Sequence, residues 1–250
     1  MEQPTKIAGV EVRLVERCGS TNSVLLAERT AAEHPVLLVA RQQSAGRGRR
    51  GRRWHSAPGA GLTFSLACRV GRPPRELPAL SLVAGVAVAR ALRALGMRNA
   101  GLKWPNDLVV DGAKLGGILV ETRRSAAAAR AVIGIGINLH GGEELGVRLR
   151  RPVASLDRYL KAPPERILEC IVSSLLQALA EFDKHGLETV RGEWEALHAH
   201  AGQRVRVRLA DGRSVSGVAA GLDEGGGLRL RTRAGMRAVI SGRVISARAA

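Results

Sequence analysis

Three short apolar runs follow one another at residues 102–104, 108–110 and 114–121, with too little chain between them for a helix. Asp111 and Gly112 separate the second run from the third, and an Asp-Gly pair in that position predicts a tight hairpin turn. Parallel strands need a long crossover connection, so strands joined by hairpins exclude a sheet built only from βαβ units. The expected fold class is therefore α+β, with a mixed or antiparallel main sheet.

The rest of the chain predicts one large domain followed by a small β module. Further strands are predicted at residues 36–40, 62–69 and 131–139, and helices at 24–32, 78–95, 164–185 and 187–199. Beyond residue 200, four or five short strands separated by glycine turns describe a small barrel of SH3-like size. We therefore expect one domain over residues 1–200 and a C-terminal β domain over residues 201–250.

The chain is strongly basic for a protein of ordinary composition. Its 250 residues are 45% hydrophobic and 24% charged, which is typical of a soluble globular protein, yet the formal net charge is +17. Thirty-four of the 39 basic residues are arginines, and only six residues are aromatic. Such a charge fits a nucleic-acid or anionic-membrane partner, and it equally fits a compositional drift toward arginine. Composition alone leaves these alternatives open.

The cysteine pattern and the longest apolar run predict a cytoplasmic protein. The three cysteines are widely spaced and include no CxxC pair, which favours reduced thiols over a disulfide framework or a zinc site. No signal peptide is expected, because charged residues interrupt the first apolar runs. Residues 77–95 are almost long enough to span a bilayer, but Arg90 and Arg93 on one side predict a core helix instead.

The most distinctive segment of the chain is GRGRRGRRW at residues 46–54. Its glycines permit positive φ angles and a close approach of the backbone to a ligand. Its five arginines repel one another unless an anion holds them together, and guanidinium groups match phosphate oxygens well. The segment is single and lies between two buried strands, so we favour a ligand-binding loop over a solvated basic loop or an RGG-like nucleic-acid tail. Trp54 adds a flat face for a base or ring.

A second segment, KWPND at residues 103–107, contains one of only five lysines in the chain. Where arginine is the usual cation, a retained lysine at position 103 suggests a compact charge that bridges a carboxylate and a phosphate. A solvent-facing strand lysine is the alternative. Pro105 holds Trp104 extended and ends the strand.

Two strands carry paired glycines, which weaken a sheet unless something packs closely against it. The pairs are Gly116 with Gly117, and Gly134 with Gly136. A flat apolar ligand on that face of the sheet would explain both pairs, with Asn138 presenting an amide at the strand end. Packing of a helix against the glycines explains either pair equally well when it is taken alone.

Taken together, these segments resemble the motifs of the biotin–protein ligases, or biotin–[acetyl-CoA-carboxylase] ligases. The family motifs GRGRxGRxW, KWPND, KxxGILVE and GxGIN occur here in that order, and the resemblance covers about residues 10–248. It implies a lipoyl/biotinyl ligase-like catalytic domain and an SH3-like C-terminal domain. It also implies a two-step reaction, in which ATP adenylates biotin and the biotinyl group passes to one lysine of a carrier protein. About 19 residues precede Ser20, so the short form without an N-terminal DNA-binding domain is expected.

The resemblance also implies roles for individual residues. Those expected to bind biotin are Ser20, Thr21, Asn22, Gln43, Gly46, Arg47, Gly48, Arg49, Lys103, Gly116, Gly117, Gly134 and Gly136. Those expected to bind ATP are Arg49, Arg52, Trp54, Lys103 and Asn138, with Trp54 stacked on adenine. The catalytic groups are Lys103, Arg49 and Arg47, and the lysine would bridge the biotin carboxylate and the α-phosphate. No covalent enzyme intermediate is implied, and no protein ligand of Mg²⁺ is assigned.

The implied substrates are biotin and ATP with Mg²⁺, and the implied partner is the biotin carboxyl carrier protein domain of a biotin-dependent carboxylase. We expect no specific DNA binding, no membrane, and either a monomer or a homodimer. The alternative functions are a lipoate–protein ligase of the same fold and a basic nucleic-acid-binding module. Residues 201–250 carry ten arginines against three acidic residues, an excess that either steers an acidic carrier domain or reflects arginine drift.

Overall fold

A computed structural model describes residues 6–28, 34–55, 57–124 and 129–249. Its main sheet contains β1 (Lys6–Ile7), β2 (Val10–Cys18), β3 (Val36–Gln43), β4 (Gly61–Val70), β5 (Gly101–Lys103), β6 (Asp107–Val110), β7 (Ala113–Arg124) and β8 (Ala129–Asn138). The strand order is β1-β2-β3-β4-β8-β7-β6-β5. Only β2 and β3 are parallel, and every other neighbouring pair is antiparallel. The predicted mixed sheet is confirmed.

The hairpin turn that fixes this topology has the geometry that its sequence predicts. Asp111 has φ of +49° and Gly112 has φ of +76°. Positive φ at both central residues is the signature of a type I′ turn, whose twist matches that of the flanking strands. The turn therefore joins β6 directly to β7, at the edge of the sheet that carries the site.

Among the described residues, five α-helices accompany the main sheet. They are α1 (Thr21–Ala27), α2 (Leu80–Ala94), α3 (Gly142–Leu149), α4 (Pro164–His185) and α5 (Glu188–Leu197). Eleven of the fifteen residues of α2 are buried, and the helix packs against α4, α5 and the sheet. The window Leu77–Ala94 is long and apolar enough to cross a membrane, but 72% of it is buried inside the protein. The prediction of a core helix is confirmed.

The C-terminal part of the chain forms a second, five-stranded sheet. Its strands are β9 (Arg204–Arg208), β10 (Ser214–Leu222), β11 (Leu228–Thr232), β12 (Gly235–Val239) and β13 (Arg243–Arg248). They are antiparallel throughout, in the order β12-β11-β10-β9-β13. The predicted small C-terminal β module is present, while the exact division of the chain at residue 200 stays a prediction.

Hydrogen bonds attach this second sheet to the helices and to the main sheet. Glu195 of α5 accepts a hydrogen bond from the backbone N–H of Leu222 at 2.7 Å. The indole N–H of Trp104 donates to the carbonyl oxygen of Gly226 at 3.1 Å. Trp104 is only 2% exposed, so the tryptophan of the KWPND segment forms a buried contact between the two sheets.

Sequence patterning does not predict β1, β2 or α3. Strand β2 alternates only at its start, where Val10 and Val12 are buried, and further along Leu14 is 61% exposed. Its place in the sheet comes from backbone pairing with β3, which hydropathy does not report. Helix α1 ends at Ala27, and residues 29–32 of the predicted helix lie outside the described residues.

Candidate active site

A cavity of about 220 Å³ is lined by the main sheet, the arginine loop at residues 46–54 and the C-terminal sheet. Thirteen of the sixteen residues expected to bind biotin or ATP line it. They are Ser20, Thr21, Asn22, Gln43, Arg47, Gly48, Arg49, Arg52, Trp54, Lys103, Gly117, Gly134 and Gly136. The structure therefore brings together segments that lie more than 100 residues apart in the sequence.

One end of the cavity is a buried network of hydroxyl and amide groups at the start of α1. Gln43 Oε1 accepts hydrogen bonds from the Thr21 backbone N–H at 2.8 Å and from the Thr21 hydroxyl at 3.2 Å. The Ser65 hydroxyl lies 2.6 Å from both Thr21 Oγ1 and Asn22 Oδ1. The small polar residues of this network are at most 4% exposed: Ser20, Thr21, Asn22 and Ser65. Such a pre-organised set of donors and acceptors suits a neutral polar ring that loses its water on binding.

Glu121 connects this network to the arginine loop. Asn22 Nδ2 donates to Glu121 Oε2 at 3.0 Å and to the Leu119 carbonyl oxygen at 3.1 Å. Arg47 Nη2 lies 3.0 Å from Glu121 Oε1. The glutamate side chain is 22% exposed, whereas half of the arginine side chain is exposed. The ion pair therefore holds the first arginine of the loop beside the buried polar end of the cavity.

The arginine loop is closed by its own backbone. The Gly48 N–H donates to the Arg52 carbonyl at 2.7 Å, and the Trp54 N–H donates to the Gly46 carbonyl at 2.9 Å. A Cβ at Gly46 would lie 2.7 Å from the Trp54 carbonyl oxygen, so this approach requires glycine. Arg50 adopts a positive φ of 56° at the tip. All five arginines of the loop line the cavity.

These arginines differ in their partners. Arg49 Nη1 donates to Asn106 Oδ1 at 3.4 Å, and burial, followed by the charge of Arg50, lowers the pKa of Arg49. Arg50 reaches the C-terminal sheet, where it donates to Ser241 Oγ at 3.0 Å. Within the described ranges, the Arg52 guanidinium forms no ion pair or hydrogen bond. The loop therefore presents positive charge to the cavity, and a bound anion would relieve the repulsion.

Two lysines lie on the cavity wall beside Asp107. Lys103 is directly opposite Asp107 in the β5–β6 pair, and Lys114 forms an ion pair with the Asp107 carboxylate. Burial lowers the pKa of Lys103, and the positive charge of Lys114 lowers it further. The attraction of Asp107 offsets only part of this lowering. Because Asp107 forms its ion pair with Lys114, and Lys103 forms none within the described residues, the Lys103 ammonium is available to a substrate anion.

The glycines of β8 leave room for protein side chains. A Cβ at Gly134 would overlap Asn22 Oδ1, and one at Gly136 would lie 2.5 Å from the Trp54 ring. Asn22 belongs to α1, so a helix does pack on Gly134, as one of the two alternatives from the sequence predicted. The space above Gly136 is instead filled by the Trp54 indole of the arginine loop. A role of either glycine in biotin binding stays a prediction, and it would act through Asn22 and Trp54.

Three of the expected site residues lie away from the cavity wall: Gly46, Gly116 and Asn138. Gly46 supports the loop backbone as described above. A Cβ at Gly116 would lie 2.6 Å from the Gly136 carbonyl oxygen, so Gly116 permits the close approach of β7 and β8. Asn138 Nδ2 donates to the Ala154 carbonyl oxygen at 3.0 Å and holds the segment that follows α3. Contact of Asn138 with the nucleotide stays a prediction.

Comparison with known proteins identifies the family. A family model described as Biotin/lipoate A/B protein ligase family matches residues 14–138. The chain belongs to this family. A second model, described as Biotin protein ligase C terminal domain, matches residues 200–245 and therefore the C-terminal sheet.

Relatives of this ligase-family chain match it over most of its length. The bifunctional ligase/repressor BirA of Escherichia coli (strain K12) is 35% identical, over 90% of this chain and 70% of that protein. The biotin–[acetyl-CoA-carboxylase] ligase of Paracoccus denitrificans is 32% identical, over 90% of this chain and 96% of that protein. The structure of the Aquifex aeolicus biotin protein ligase in complex with biotin and ATP matches with a TM-score of 0.80 at 27% identity, over 96% of this chain and 99% of that chain. The predicted family and fold class are confirmed.

Several residues of this family site were missed in the sequence analysis. Lys114 satisfies the same rarity argument as Lys103, since both are among the five lysines, and Glu121 ends the KxxGILVE motif. These two could have been found from the sequence. No local signal marks three further residues that line the cavity from distant elements: Arg151, Arg208 and Arg243.

The acidic residues of the site bear on how Mg²⁺ is held. Across the part of the chain that the structure describes, no group of three His, Cys, Asp or Glu side chains could hold a metal ion. Asp107 is the only acid among the described residues of the cavity wall, and Lys114 engages it. Mg²⁺ is commonly held by substrate phosphates and water, with few protein carboxylates. The residues present therefore fit Mg²⁺ that arrives on ATP as part of the substrate.

Proposed function

We propose that this chain is a biotin–protein ligase that makes biotinyl-5′-AMP from biotin and ATP and then transfers the biotinyl group to a lysine of a carrier protein. The observation that carries the proposal is one cavity with a buried hydroxyl–amide network at one end and ten lysines and arginines on its walls. The network suits a neutral polar ring, and the cations suit a carboxylate and a polyphosphate. The Paracoccus and Aquifex relatives are biotin ligases by name, which favours biotin over lipoate.

The ureido ring of biotin binds at the start of α1 in this proposal. Ser20, Thr21 and Gln43 supply the donors and acceptors, because their side chains line the buried end of the cavity. Asn22 also lines the cavity, and its hydrogen bonds to Ser65 and Glu121 give it a positioning role as well. The valeryl tail then runs along the sheet and brings the carboxylate to Lys103.

Adenylation requires two anions to meet. A carboxylate oxygen of biotin bonds to the α-phosphorus of ATP, and the bond from that phosphorus to the bridging oxygen breaks as pyrophosphate leaves. Lys103 bridges the carboxylate and the α-phosphate, while Arg47 and Arg49 hold the carboxylate and the α-phosphoryl oxygens. Fixed cations at these places reduce the repulsion between the reactants and stabilise the charge of the transition state. Arg52 binds the triphosphate.

Transfer uses the mixed anhydride formed in the first step. The neutral amine of the carrier lysine attacks the biotinyl carbonyl carbon, AMP leaves with the electrons of the broken bond, and the amine releases a proton to water. No enzyme nucleophile is needed, and none of the three cysteines lines the cavity. Burial raises the pKa of Cys68 to about 12, which keeps that thiol protonated and unreactive.

The partner in this proposal is the biotin carboxyl carrier domain of a biotin-dependent carboxylase, and the compartment is the cytoplasm. The acceptor reaches the cavity from its open side, and MgATP is the nucleotide substrate. We further propose that residues 1–200 form the catalytic domain and residues 201–250 a C-terminal domain that completes it. The ligase acts as a monomer or homodimer, without specific DNA and away from membranes.

The decisive experiment incubates the protein with biotin, MgATP and a carrier domain and measures the carrier by mass spectrometry. We expect a mass increase of one biotinyl group that depends on the acceptor lysine of the carrier. Exchange of labelled pyrophosphate into ATP separates the two candidate ligases, because biotin but not lipoate should stimulate it. Stimulation by lipoate alone would replace this proposal with the lipoate ligase, and salt-sensitive nucleic-acid binding without exchange would favour the nucleic-acid module.

A further inference from the structure

One hydrogen bond joins the tip of the arginine loop to the C-terminal sheet. Arg50 Nη2 donates to Ser241 Oγ at 3.0 Å, between residues that are 191 positions apart in the chain. Among the hydrogen bonds of the described residues, no other connects residues 46–54 to this sheet. Position 50 is one of the two that the family motif GRGRxGRxW leaves open, so the contact is a property of this chain.

The backbone at the loop tip has a conformation that requires support. Arg50 has φ of 56° and ψ of 43°, in the left-handed region that favours glycine. A residue with a side chain costs free energy there, and it persists where its surroundings hold it. The arginine side chain reaches the C-terminal sheet from this conformation, so the contact with Ser241 offsets part of the cost.

Ser241 lies in the turn between β12 and β13, and the neighbouring residue fixes that turn. A Cβ at Gly242 would lie 2.6 Å from Val207 Cγ1 and 3.0 Å from the Arg208 carbonyl oxygen, so the turn packs closely on β9. The ring of Trp104 would lie 3.5 Å from the same atom. The hydrogen bond therefore connects the loop tip to a point that is fixed relative to the KWPND segment.

We propose that Arg50 and Ser241 are positioning residues that hold the arginine loop against the C-terminal sheet and thereby retain biotinyl-5′-AMP between the two half-reactions. The proposal rests on the proposed function, because the retained ligand is its intermediate. Free in solution, the mixed anhydride is lost to hydrolysis. The oxygen of water bonds to the biotinyl carbonyl carbon, AMP leaves with the electrons of the broken bond, and a proton is released. The loop contributes five arginines to the cavity wall, so a fixed tip keeps that wall in place around the intermediate.

The need for such a contact follows from the order of the reaction. Before adenylation, the carboxylate and the triphosphate hold the five arginines of the loop together. Pyrophosphate then leaves with much of that negative charge, and the arginines again repel one another while the adenylate is still bound. A hydrogen bond to an uncharged hydroxyl on the C-terminal sheet does not depend on the departed anion. It therefore holds the loop at the step where the ligand holds it least.

Ser241 separates this role from direct binding of phosphate by Arg50. Arg50 lines the cavity and Ser241 does not, so Ser241→Ala removes the contact and leaves the guanidinium group. Ser246 is the matched control. It is exposed on β13 and directly opposite Arg206, and neither of these two residues lines the cavity. A substitution at either serine therefore changes the neighbour of an arginine, but only the arginine beside Ser241 belongs to the loop.

Hydrogen exchange of the full chain without any ligand tests the contact itself. The Gly48 and Trp54 amides donate to carbonyl oxygens within the loop, so their exchange reports its opening. We expect Ser241→Ala and Arg50→Gly to speed exchange at both amides about fivefold, and Ser246→Ala to leave it unchanged. Glycine adopts the φ of residue 50 readily, so Arg50→Gly removes the side chain without straining the backbone. Unchanged exchange in Ser241→Ala would overturn the proposal.

Release of biotinyl-5′-AMP tests the consequence for the reaction. Labelled adenylate is bound to each variant and chased with an excess of unlabelled adenylate. We expect about fivefold faster release from Ser241→Ala, and about threefold slower release from Ser241→Asp, because a carboxylate is a stronger acceptor for Arg50. Normal release from Ser241→Ala together with fast release from Arg50→Gly would make Arg50 a phosphate ligand instead and overturn the proposal.

Two further variants distinguish the contact from the general field of the sheet. Ser241→Asp should have no effect on release in an Arg50→Gly background, and Ser246→Asp should have none in the wild type. Changed release in either would assign the effect to the added charge and overturn the proposal. Faster amide exchange in Ser241→Ala, with no biotin-dependent exchange of pyrophosphate into ATP by the wild type, would confirm the contact but refute the proposed function, and with it the retention of the adenylate.

Discussion

Arg47 Nη2 and Glu121 Oε1 form an ion pair of 3.0 Å that joins the arginine loop to β7. The other oxygen of the same carboxylate accepts a hydrogen bond from Asn22. One glutamate therefore contacts both the loop that we assign to the carboxylate and phosphate and the network that we assign to the ureido ring. Displacement of either partner changes the environment of the other, so Glu121 is a positioning residue between the two halves of the site.

Replacing Glu121 tests this connection. Glu121→Gln keeps an acceptor for Asn22 but loses the charge that holds Arg47, so we expect the KM for biotin to rise about fivefold with a smaller change in kcat. Adenylation kinetics at varied biotin and saturating ATP measure it. Glu16→Gln is the control, because the pair between Glu16 and Arg41 is highly exposed and lies outside the cavity lining. An unchanged KM for biotin in Glu121→Gln would contradict the positioning role.

The glycines of β8 allow the two ends of the site to be perturbed separately. Gly134→Ala should displace the Asn22 amide and weaken biotin binding, whereas Gly136→Ala should displace the Trp54 indole and weaken ATP binding. We expect each variant to raise the KM of its own substrate about tenfold or more and to lower the melting temperature, because the added methyl overpacks the site. Steady-state kinetics with each substrate varied in turn measure both effects.

Gly192→Ala is the control for the two glycine variants of β8. Gly192 lies in α5, and a Cβ there would meet nothing within 4 Å. Gly192→Ala should therefore leave both KM values unchanged and stabilise the protein by up to about 1 kcal/mol. If Gly134→Ala raised only the KM for ATP, the assignment of the two ends of the cavity would be reversed.

The parts of the site whose chemistry is local could be predicted from the sequence. The crowded arginines of residues 46–54 and the rare Lys103 carry their signal in their own composition, and both segments line the cavity. The paired glycines signalled a close approach correctly, but hydropathy cannot tell whether a ligand or a side chain such as Trp54 fills the space. Arg208 and Arg243 looked like any other arginines of a basic chain, because only the register of β9 and β13 brings them together.

Lys103 should control the alkaline limit of adenylation. Burial lowers the pKa of Lys103, and only the charged ammonium can bridge two anions, so the rate should fall with rising pH before the usual titration of lysine near 10.5. Lys103→Ala should slow adenylation at least about 100-fold while largely sparing biotin binding. Lys103→Arg should retain part of the rate and shift its decline to higher pH, since arginine stays charged.

The measurement is the rate of pyrophosphate exchange between pH 7 and pH 10, together with biotin affinity by calorimetry. Lys114→Ala extends the test, because it frees Asp107 to compete for Lys103. That variant should also slow adenylation, and it should move the alkaline decline upward by leaving an acid beside the Lys103 ammonium. A near-normal exchange rate for Lys103→Ala would remove Lys103 from the catalytic groups.

Replacing Trp104 should change both the stability of the protein and the binding of ATP at the site. Trp104→Phe keeps a buried ring but loses the hydrogen bond to the Gly226 carbonyl, so it should destabilise the protein by about 1–3 kcal/mol. The KM for ATP should rise more than the KM for biotin, because the C-terminal sheet contributes Arg208 and Arg243 to the cavity. Urea unfolding and adenylation kinetics measure the two effects. Equal changes in the KM for ATP and the KM for biotin would argue against a specific effect of Trp104 on ATP binding.

Acid should destabilise the protein through two neighbouring histidines, the buried His198 and the half-buried His200. His198 is 6% exposed and stacks on Trp194 with ring centroids 4.6 Å apart. Burial, with a contribution from His200, lowers the pKa of His198 to about 3, and burial lowers that of His200 to about 4. In the unfolded chain both imidazoles protonate near pH 6.5, so below that pH the unfolded state binds more protons than the native state. The free energy of unfolding should therefore fall as the pH drops from about 6.5 toward 4. The fall is at most about 1.4 kcal/mol per pH unit for each histidine. Above pH 7 these two histidines should make no contribution to the pH dependence of stability.

Urea unfolding at a series of pH values measures this slope. His198→Phe keeps a ring against Trp194 but removes one titrating group, so its slope between pH 6 and pH 4 should be shallower than that of the wild type. His140→Gln is the matched control, because the His140 side chain is 61% exposed and pairs with Asp157 at the surface. The acid sensitivity of the wild type should persist in His140→Gln. If His198→Phe kept the full wild-type slope, the buried imidazole of His198 would not be a source of the acid sensitivity.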